Sequence, residues 1–208
     1  MPQRPAPIDL TADTLAHYED CAEAFREGTR DHDVRQNIDA LLGAIEAAAP
    51  FTILDFGCGP GRDLATFNAR GHHAIGLDGA EAFVKMARRD TGCEVWHQNF
   101  IALDLPRAHF DGVFANASLF HTPRAAAPHV LAALFDTLKP RGVLFCSNPH
   151  GNNQEGFAGT RYGCYYDLPA WQALVRDAGF TEICHYYRPP GRPRREQPWL
   201  ATVWRKPA

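Results

Sequence analysis

Three closely spaced glycines follow the first apolar run of the sequence, and acidic residues accompany them. The stretch LDFGCGPGRD contains Gly57, Gly59 and Gly61, with Asp55 just before them. Glycines let a chain turn sharply and bring backbone N–H groups close to a ligand at the start of a helix. The next apolar run, HAIGLD, ends on Asp78, where a carboxylate can accept hydrogen bonds from ribose hydroxyls. These residues favour a site for a nucleoside-containing ligand.

The glycine stretch departs from the dinucleotide-binding pattern G-x-G-x-x-G. Arg62 occupies the place of the third glycine, Pro60 lies inside the turn, and Asp55 stands before the first glycine. That acid suits a cofactor with an ammonium group better than a pyrophosphate. The spacing therefore argues against an oxidoreductase that uses a dinucleotide.

The apolar pattern predicts alternating strands and helices around this stretch. We predict strands at 51–56, 73–78, 93–98, 110–116 and 142–147, and two more around TEICHYYR and WLATVWR. We predict one helix at 12–27 and a second that starts at a capping-box-like pair, Asp33 and Gln36. Further helices are predicted from the glycines to about Arg70, at 80–90, before the fifth strand with its end at Leu138, and at 168–178.

This alternation indicates an α/β fold with right-handed crossovers. We predict a Rossmann-like seven-stranded, mostly parallel sheet with an antiparallel last strand, helices on both faces and extra N-terminal helices. In such a sheet the ligand lies beyond the carboxyl ends of the strands, where the glycine stretch leaves the first strand. We divide the single domain 1–208 into an N-terminal helical cap (1–50), a cofactor-binding core (51–147) and a substrate lid with helix and edge strands (148–208).

Composition excludes several classes of function. With 208 residues, 45% of them hydrophobic, the chain can bury one core, and its net charge of −3 gives no general attraction to nucleic acid. No apolar run approaches the ~20 residues of a membrane span, and the start lacks the plan of a signal peptide, so we expect a cytoplasmic protein without membrane contact. The six cysteines form no CxxC pair, which argues against zinc and disulfides; we predict no metal.

Five motifs in order resemble those of the class I S-adenosylmethionine-dependent methyltransferases. LDFGCGPG resembles their glycine-rich motif, LDGA their ribose-binding acid, and HQNF their adenine-side loop. FDGVFANASLFH resembles the motif after the fourth strand, and LKPRGVLF the turn into the fifth. The likeness implies an enzyme that uses S-adenosylmethionine and releases S-adenosylhomocysteine.

The resemblance also implies roles for individual residues. Asp55 and the three glycines would surround the methionyl part, Asp78 would hold the ribose, and Asn99 with Phe100 would flank the adenine. Asn99 stands where many relatives carry an acid, so its amide oxygen would accept from the adenine amine. The implied cofactor-binding residues are Asp55, Gly57, Cys58, Gly59, Gly61, Arg62, Asp78, Gly79, Asn99, Phe100, Asn116, Ala117, Ser118, Thr29 and His32.

A second resemblance concerns the substrate. GTRDHDVRQNI, SNPHGNNQEGF, RYGCYYD and HYYRPPGRPRREQPWLATVWRK look like parts of the C-terminal methyltransferase domain of ovothiol synthases. The likeness implies methylation of the π nitrogen of 5-thiohistidine, a small amino-acid-like substrate. Because the sequence begins at Met1 with no sulfoxide-synthase domain before it, we expect that synthase as a separate partner or as another part of a longer, fused protein.

Methyl transfer is an in-line displacement, so positioning matters more than a strong base. A neutral imidazole already offers a lone pair near pH 7. We predict Asn116, His121 and Tyr18 as catalytic residues. Hydrogen bonds from Asn116 or His121 to the ring's other nitrogen would select the reactive tautomer, and Tyr18, with Thr29 and His32, would cap the methionine end of the cofactor. Alternatively, His121 could cap the next helix, and Tyr18, Thr29 and His32 could simply pack against their neighbours.

The polar stretch at 147–167 is predicted to be a long loop that closes over the substrate. Arg161 and Arg188 could each bind a carboxylate through the guanidinium fork, and tyrosines of the loop could form a wall. The predicted substrate-binding residues are Phe120, His121, Asn148, Asn152, Arg161, Tyr162, Tyr165, Tyr166 and Arg188.

Other functions remain open. A methyltransferase for another small amine, acid or thiol would share the cofactor half, and a non-catalytic S-adenosylmethionine-binding module would do so too. A base methyltransferase of the amino-targeting kind is disfavoured, because Asn116 is followed by Ala117 and Ser118 rather than by two prolines and an aromatic residue.

Overall fold

A seven-stranded sheet forms the centre of the computed structural model, which describes residues 10–208. Its strands are β1 (Thr52–Phe56), β2 (His73–Asp78), β3 (Val95–His97), β4 (Phe110–Asn116), β5 (Leu138–Pro149), β8 (Thr181–Arg188) and β9 (Trp199–Arg205). Their order across the sheet is β3-β2-β1-β4-β5-β9-β8. The chain thus starts in the middle, builds outward to one side, and then crosses to the other.

The five strands from β3 to β5 are parallel, and β9 pairs antiparallel with both β5 and β8. The last strand of the sequence is therefore inserted between β5 and the edge strand β8. The runs of β1, β4 and β5 are apolar on both faces because helices cover both sides of the sheet. The predicted α/β fold class is confirmed.

Six helices surround the sheet: α1 (Ala12–Thr29), α2 (Arg35–Ala44), α3 (Arg62–Ala69), α4 (Glu81–Thr91), α5 (Ala127–Thr137) and α6 (Leu168–Asp177). Side chains of α5 and α6 pack on one face of the sheet, while those of α2, α3 and α4 pack on the other. Helix α1 rests on α4 through Tyr18, Phe25 and Phe83.

The predicted capping box before α2 is wrong. The N-cap is Val34, and the side chain of Asp33 accepts a hydrogen bond from the backbone N–H of Arg35 at 3.0 Å. Asp33 therefore closes a short turn ahead of the helix, and Gln36 takes no part in it.

The predicted long loop at 147–167 is also wrong, because most of it is a β-hairpin. Strand β5 continues to Pro149, and β6 (Gln154–Ala158) then pairs antiparallel with β7 (Arg161–Tyr165). Gly159, at φ +64°, lies in the tight connection between them. The hairpin supplies regular backbone pairing where the sequence indicated a long loop.

The hairpin is joined to α1. The backbone N–H of Tyr162 donates to Oγ1 of Thr14 at 2.8 Å, and the Thr160 hydroxyl lies 2.9 Å from Nδ1 of His17. Segments that are far apart in the sequence thus meet at this contact.

The proposed division of the chain at residues 50 and 147 stays a prediction, although β5 crosses its second boundary. Residues 1–9 of the predicted N-terminal cap lie outside the described residues.

Within the part of the chain that the structure describes, no helix combines the length and apolar character required to span a bilayer.

Candidate active site

A cavity of about 540 Å³ lies at the carboxyl ends of β1, β2 and β4. Its walls come from the glycine loop after β1, from α1, from the segment after β4, and from residues of β7, β8 and β9. A volume of this size is typical of small-molecule sites. Parallel strands deliver their carboxyl ends to one edge, which is why residues far apart in sequence meet here.

The glycine loop passes so close to Ser118 that position 57 has no space for a side chain. A Cβ on Gly57, whose φ is +79°, would lie 2.4 Å from Cβ of Ser118. Gly59 also has a positive φ and lines the cavity, whereas Gly61 does not line it. A Cβ on Gly61 would lie 3.0 Å from Cα of Ala87, so this glycine allows close packing of α3 on α4.

Asp78 presents a buried carboxyl to the cavity. One carboxyl oxygen accepts from the backbone N–H of Gly59 and the other from that of Ala80, each at 2.9 Å. Burial raises the pKa of Asp78 to about 6, against the opposing effect of these hydrogen bonds. A Cβ on Gly79 beside it would lie 2.6 Å from Cδ2 of Leu15, so the end of that side chain would have to move.

Asp55 lies beneath the loop and not on the cavity wall. Burial raises the pKa of its carboxyl well above the usual value, and the charge of Asp63 raises it further. Its Oδ2 atom has no hydrogen-bond partner among residues 10–208. Asp55 was expected to contact the methionyl part of S-adenosylmethionine directly, but its side chain is not among those that line the cavity.

The adenine-side loop is arranged by its own hydrogen bonds. The amide oxygen of Asn99 accepts from the backbone N–H of Ile101 at 3.1 Å, and its amide nitrogen donates to Oγ1 of Thr11 at 2.8 Å. Phe100 stacks on Phe56 with ring centroids 4.3 Å apart. Both Asn99 and Phe100 line the cavity, but the oxygen expected to accept from adenine is already engaged by the loop.

Arg62 connects the glycine loop to the end of α1. Its guanidinium donates to both carboxylate oxygens of Asp63, at 2.7 and 2.9 Å, and to the carbonyl of Thr29 at 2.9 Å. Thr29 and His32 therefore line the cavity, as does Cys58, whose pKa burial raises well above the usual value.

Tyr18 and His121 form a hydrogen-bonded pair on the cavity wall. Nδ1 of His121 lies 2.6 Å from the carbonyl oxygen of Tyr162, and Nε2 lies 2.9 Å from the hydroxyl of Tyr18. A carbonyl can only accept, so Nδ1 carries the proton and Nε2 accepts from Tyr18. His121 is thus held in one tautomer by the hairpin and α1, and it does not cap a following helix.

The ionisation of this pair follows from burial. Burial lowers the pKa of His121 to about 4, although the hydrogen bond to the Tyr162 carbonyl opposes the shift. Burial also raises the pKa of Tyr18, against a hydrogen bond from the Arg161 guanidinium. Both side chains are therefore neutral near pH 7.

We expect His121 to remain neutral on its Nδ1–H tautomer until the pH approaches 4. Because its pKa in the folded protein lies below the ordinary 6.5, the unfolded chain takes up the proton first. The contribution of His121 to stability is complete above pH 6.5 and is lost as the pH falls toward 4. Ring ¹⁵N chemical shifts measured across this range test the expectation, and Tyr18→Phe should raise the pKa by removing the O–H donor to Nε2. A second ring proton near pH 6.5 in the unchanged protein would contradict it.

Asn116 ends β4 on the cavity wall. Its Oδ1 accepts from Nδ2 of Asn37 at 2.8 Å, and its Nδ2 lies 3.4 Å from Oδ2 of Asp63. Ala117 follows in the left-handed region at φ +62°, and the Ser118 hydroxyl donates to the carbonyl of Phe56 at 2.6 Å. This turn brings Asn116, Ala117 and Ser118 together at the cavity.

The structure brings only part of the predicted substrate set to the cavity. Phe120, His121, Arg161 and Arg188 line it. The five predicted residues that do not line it are Asn148, Asn152, Tyr162, Tyr165 and Tyr166.

These five are corrections with separate physical causes. The Tyr162 hydroxyl donates to Glu155 across the hairpin, and Tyr166 is buried against Trp171. Tyr165 packs near Phe120, with ring centroids 6.0 Å apart, and Phe120 rather than Tyr165 lines the cavity. The backbone of Asn152 bonds to the side chain of Gln154 in the exposed turn before β6. Asn148 is buried on the opposite side of β5 from Ser147, which does line the cavity.

Several cavity residues were not predicted, among them Thr14, Ser147 and Trp199. Trp199 begins the antiparallel strand β9, so it lies at the same edge as the carboxyl ends of the parallel strands. That position could have been inferred from the predicted direction of the strand. No comparable pattern in the sequence pointed to Asn37, whose side chain donates to Asn116.

Comparison with known proteins agrees with this geometry. Residues 53–142 match the family described as methyltransferase domain. The trans-aconitate 2-methyltransferase of Yersinia pestis (strain Pestoides F) is 30% identical over 158 residues, which are 71% of this chain and 58% of that protein. The 24-methylenesterol C-methyltransferase 2 of Oryza sativa is 31% identical over 128 residues, covering 58% of this chain and 33% of the other. The chain therefore spans little more than half the length of the first of these relatives.

Solved structures share the whole fold. The 1,6-didemethyltoxoflavin-N1-methyltransferase of Burkholderia thailandensis, solved with 1,6-didemethyltoxoflavin and S-adenosylhomocysteine, has a TM-score of 0.78 and 24% identity. The superposition covers 100% of this chain and 93% of that one. A TehB-like methyltransferase from Corynebacterium glutamicum has a TM-score of 0.71 and 19% identity, over 92% of this chain and 98% of the other. Residues 53–142 therefore carry a sequence match to a methyltransferase domain, and the topology of the whole chain is that of solved methyltransferases.

Proposed function

We propose that this chain methylates the imidazole of 5-thiohistidine at the π nitrogen, with S-adenosylmethionine as the methyl donor. The observation that carries the proposal is one cavity whose wall includes both the glycine loop with Asp78 and two arginines, Arg161 and Arg188. The first set suits a nucleoside with an amino-acid tail. The second suits a small substrate that carries a carboxylate.

The residues present fit S-adenosylmethionine. Gly57 and Gly79 leave backbone surface without side chains, since a Cβ at either position would collide with a neighbour. The Asp78 carboxyl provides an acceptor for ribose hydroxyls, and Asn99 with Phe100 forms the wall expected beside adenine. When bound, the cofactor supplies an electrophilic methyl group on a sulfonium. Apart from Asn116, the predicted cofactor-binding residues that line the cavity remain candidates for these contacts.

The chain's own contribution is positioning and the exclusion of water. Both ring nitrogens of His121 are engaged, by Tyr18 and by the Tyr162 carbonyl, so His121 fixes the Tyr18 hydroxyl at the cavity and its nitrogen does not compete for the methyl group. Phe120 and Trp199, whose centroids are 6.5 Å apart, form an apolar corner against which an imidazole can pack. Such an arrangement supports transfer by alignment rather than by strong base catalysis.

The amino-acid part of the substrate would be held by arginine. Arg161 lies on the hairpin and hydrogen-bonds to Tyr18, while Arg188 ends β8 and donates to the carbonyl of Asp33 at 2.6 Å. Nε of Arg188 is buried and has no hydrogen-bond partner among residues 10–208. An incoming carboxylate would supply one. The thiohistidine would come from a sulfoxide synthase, separate or fused, as the sequence resemblance implies.

A second candidate is methyl-ester formation on a small polycarboxylate. The trans-aconitate 2-methyltransferases, at 30% identity, and the two cavity arginines favour it. A non-catalytic S-adenosylmethionine-binding module is the third.

The deciding experiment incubates the purified protein with S-adenosylmethionine and, separately, 5-thiohistidine, histidine and trans-aconitate. We expect a mass gain of one methyl on 5-thiohistidine, with NMR placing it on the π nitrogen. Omission of the cofactor is the control.

Methylation of trans-aconitate alone would replace the proposed substrate by the polycarboxylate. Cofactor binding by calorimetry without any product would favour the non-catalytic module. Methylation on sulfur or on the τ nitrogen would keep the substrate and overturn the regiochemistry.

A further inference from the structure

A row of hydrogen bonds runs from the edge strand β8 to the cavity wall. The Tyr186 hydroxyl lies 3.0 Å from Oδ1 of Asn37, and Nδ2 of Asn37 lies 2.8 Å from Oδ1 of Asn116. Nδ2 of Asn116 lies 3.4 Å from Oδ2 of Asp63. Asn37 is fully buried and belongs to α2, outside the family match and outside the cavity lining.

The orientation of each amide follows from the acceptor at the end of the row. The Asp63 carboxylate is held by both arms of the Arg62 guanidinium, and a carboxylate can only accept. Asn116 must therefore turn its NH₂ group toward Asp63 and its oxygen toward Asn37. Asn37 must then turn its NH₂ group toward Asn116, which leaves its oxygen to accept from the Tyr186 hydroxyl.

This arrangement decides what Asn116 can offer to a ligand. Its amide oxygen is engaged by Asn37, and one of its two N–H groups is directed at Asp63. The second N–H group belongs to a side chain that lines the cavity. Asn116 therefore keeps one N–H group free to donate to a ligand, while its amide oxygen already accepts from Asn37.

We propose that Asn116 donates a hydrogen bond to an anionic acceptor atom of the substrate, and that Asn37 and Tyr186 are positioning residues that fix this polarity. The inference rests on the proposed function and narrows its substrate to molecules with a carboxylate or thiolate near the reacting atom. An amine whose only polar group is an N–H donor would leave this N–H group of Asn116 without an acceptor.

The charges around Asn116 are consistent with an anionic ligand. Asp63 is the acidic group in contact with it, and the Arg62 guanidinium, which lies on Asp63, compensates that charge. Asn37 and Tyr186 contribute uncharged groups. A carboxylate placed at position 116 would add a second negative charge beside Asp63, whereas the native amide adds none.

Three substitutions test the polarity: Asn116→Asp, Asn116→Ala and Asn37→Asp. Asp at 116 keeps the shape but can only accept, and Asp at 37 would attract the Asn116 NH₂ group away from the cavity. We expect each to raise KM for the methylated substrate about 10- to 100-fold, the usual effect of losing a hydrogen bond to a charged group. The calorimetric Kd for S-adenosylmethionine should change far less than KM. Asn68→Asp is the matched control, because the same chemical change falls on an exposed residue of α3 outside the cavity.

Tyr186→Phe separates positioning from packing. It keeps the ring and removes only the hydroxyl that directs Asn37, so KM should rise while the cofactor Kd stays close to that of the unchanged protein; the thermal midpoint should fall modestly, because the buried Asn37 oxygen loses its donor. A change in thermal stability without a change in KM would identify Tyr186 as a packing residue and overturn its proposed role.

Substrate analogues identify the acceptor. If the bond goes to the thiolate, Asn116→Ala should have its full effect on 5-thiohistidine and little on histidine. If it goes to the carboxylate, the effect should vanish for decarboxylated 5-thiohistidine.

Asn116→Asp with an unchanged or lower KM would overturn the donor assignment even when 5-thiohistidine is methylated. If trans-aconitate is methylated instead, the proposed substrate fails, and the same variants test the donor on that polycarboxylate. A protein that methylates neither substrate overturns both proposals.

Discussion

Replacing Gly57 by Ala should abolish cofactor binding and destabilise the fold by about 2–4 kcal/mol. The new Cβ would lie 2.4 Å from Cβ of Ser118 and 3.1 Å from Cζ of Phe100, and the backbone at φ +79° disfavours any side chain. Ser118 cannot easily retreat, because its hydroxyl is bonded to the Phe56 carbonyl. The collision therefore displaces the loop after β1, the wall of the cavity. Urea denaturation and calorimetry with S-adenosylmethionine measure the two effects.

Gly71→Ala is the matched control. Gly71 has a φ of +81°, nearly that of Gly57, but an added Cβ would meet nothing within 4 Å. The Gly71→Ala substitution should lower the free energy of unfolding only by the backbone strain, about 1–2 kcal/mol, and leave the affinity for S-adenosylmethionine unchanged. Equal losses of affinity in the two variants would contradict the collision with Ser118.

Replacing Asp78 by Ala should weaken S-adenosylmethionine binding about 10- to 100-fold, because hydrogen bonds from ribose hydroxyls to a charged acceptor would be lost. The substitution also removes the acceptors of the Gly59 and Ala80 N–H groups, so a thermal denaturation must accompany the calorimetry. Asp78→Asn keeps the size and one acceptor oxygen but removes the charge. An unchanged Kd in both variants would refute the role of Asp78 as ribose acceptor.

The raised pKa of Asp78 predicts how cofactor binding responds to pH. Its pKa is raised from 3.8 to about 6 in the folded protein. Between these values the native protein holds a proton that the unfolded chain has lost, so the Asp78 contribution to stability falls as the pH rises through this window. Ribose hydroxyls need the ionised form, so affinity should fall as the pH drops below about 6 and level off above it. His121, with a pKa of about 4, does not explain a change near pH 6. The dependence should disappear in Asp78→Asn.

The central strands could be predicted because their physical signal is local. Strand β1 was predicted at 51–56 and lies at Thr52–Phe56, and β2 and β4 begin and end where predicted. Continuous apolar runs bounded by glycine and aspartate identify buried parallel strands without knowledge of their partners. The hairpin gave no such signal, because β6 is largely exposed and polar, and β7, although partly buried, is short and contains a glycine.

The site could be predicted only in part because its details depend on side-chain direction and on distant partners. A strand turns successive side chains to opposite faces, so whether Ser147 or Asn148 reaches the cavity depends on register that the sequence does not reveal. In the sequence, Asn37 does not differ from any other polar residue of an amphipathic helix. Its importance arises from Tyr186 and Asn116, which lie 149 and 79 positions away in the sequence.

The bond between Thr14 and Tyr162 bears on the order of folding. Its partners are 148 positions apart, and loop-closure entropy must be overcome before such a contact contributes. Strands β1 and β2 lie close in sequence and can pair early, while α1 rests on α4 through Tyr18 and Phe25. We therefore expect the sheet to form first and the junction of α1 with the hairpin last. During refolding, cofactor binding would then detect only molecules in which α1 has joined the hairpin. A measurement of strand content would also include molecules in which this contact has not yet formed.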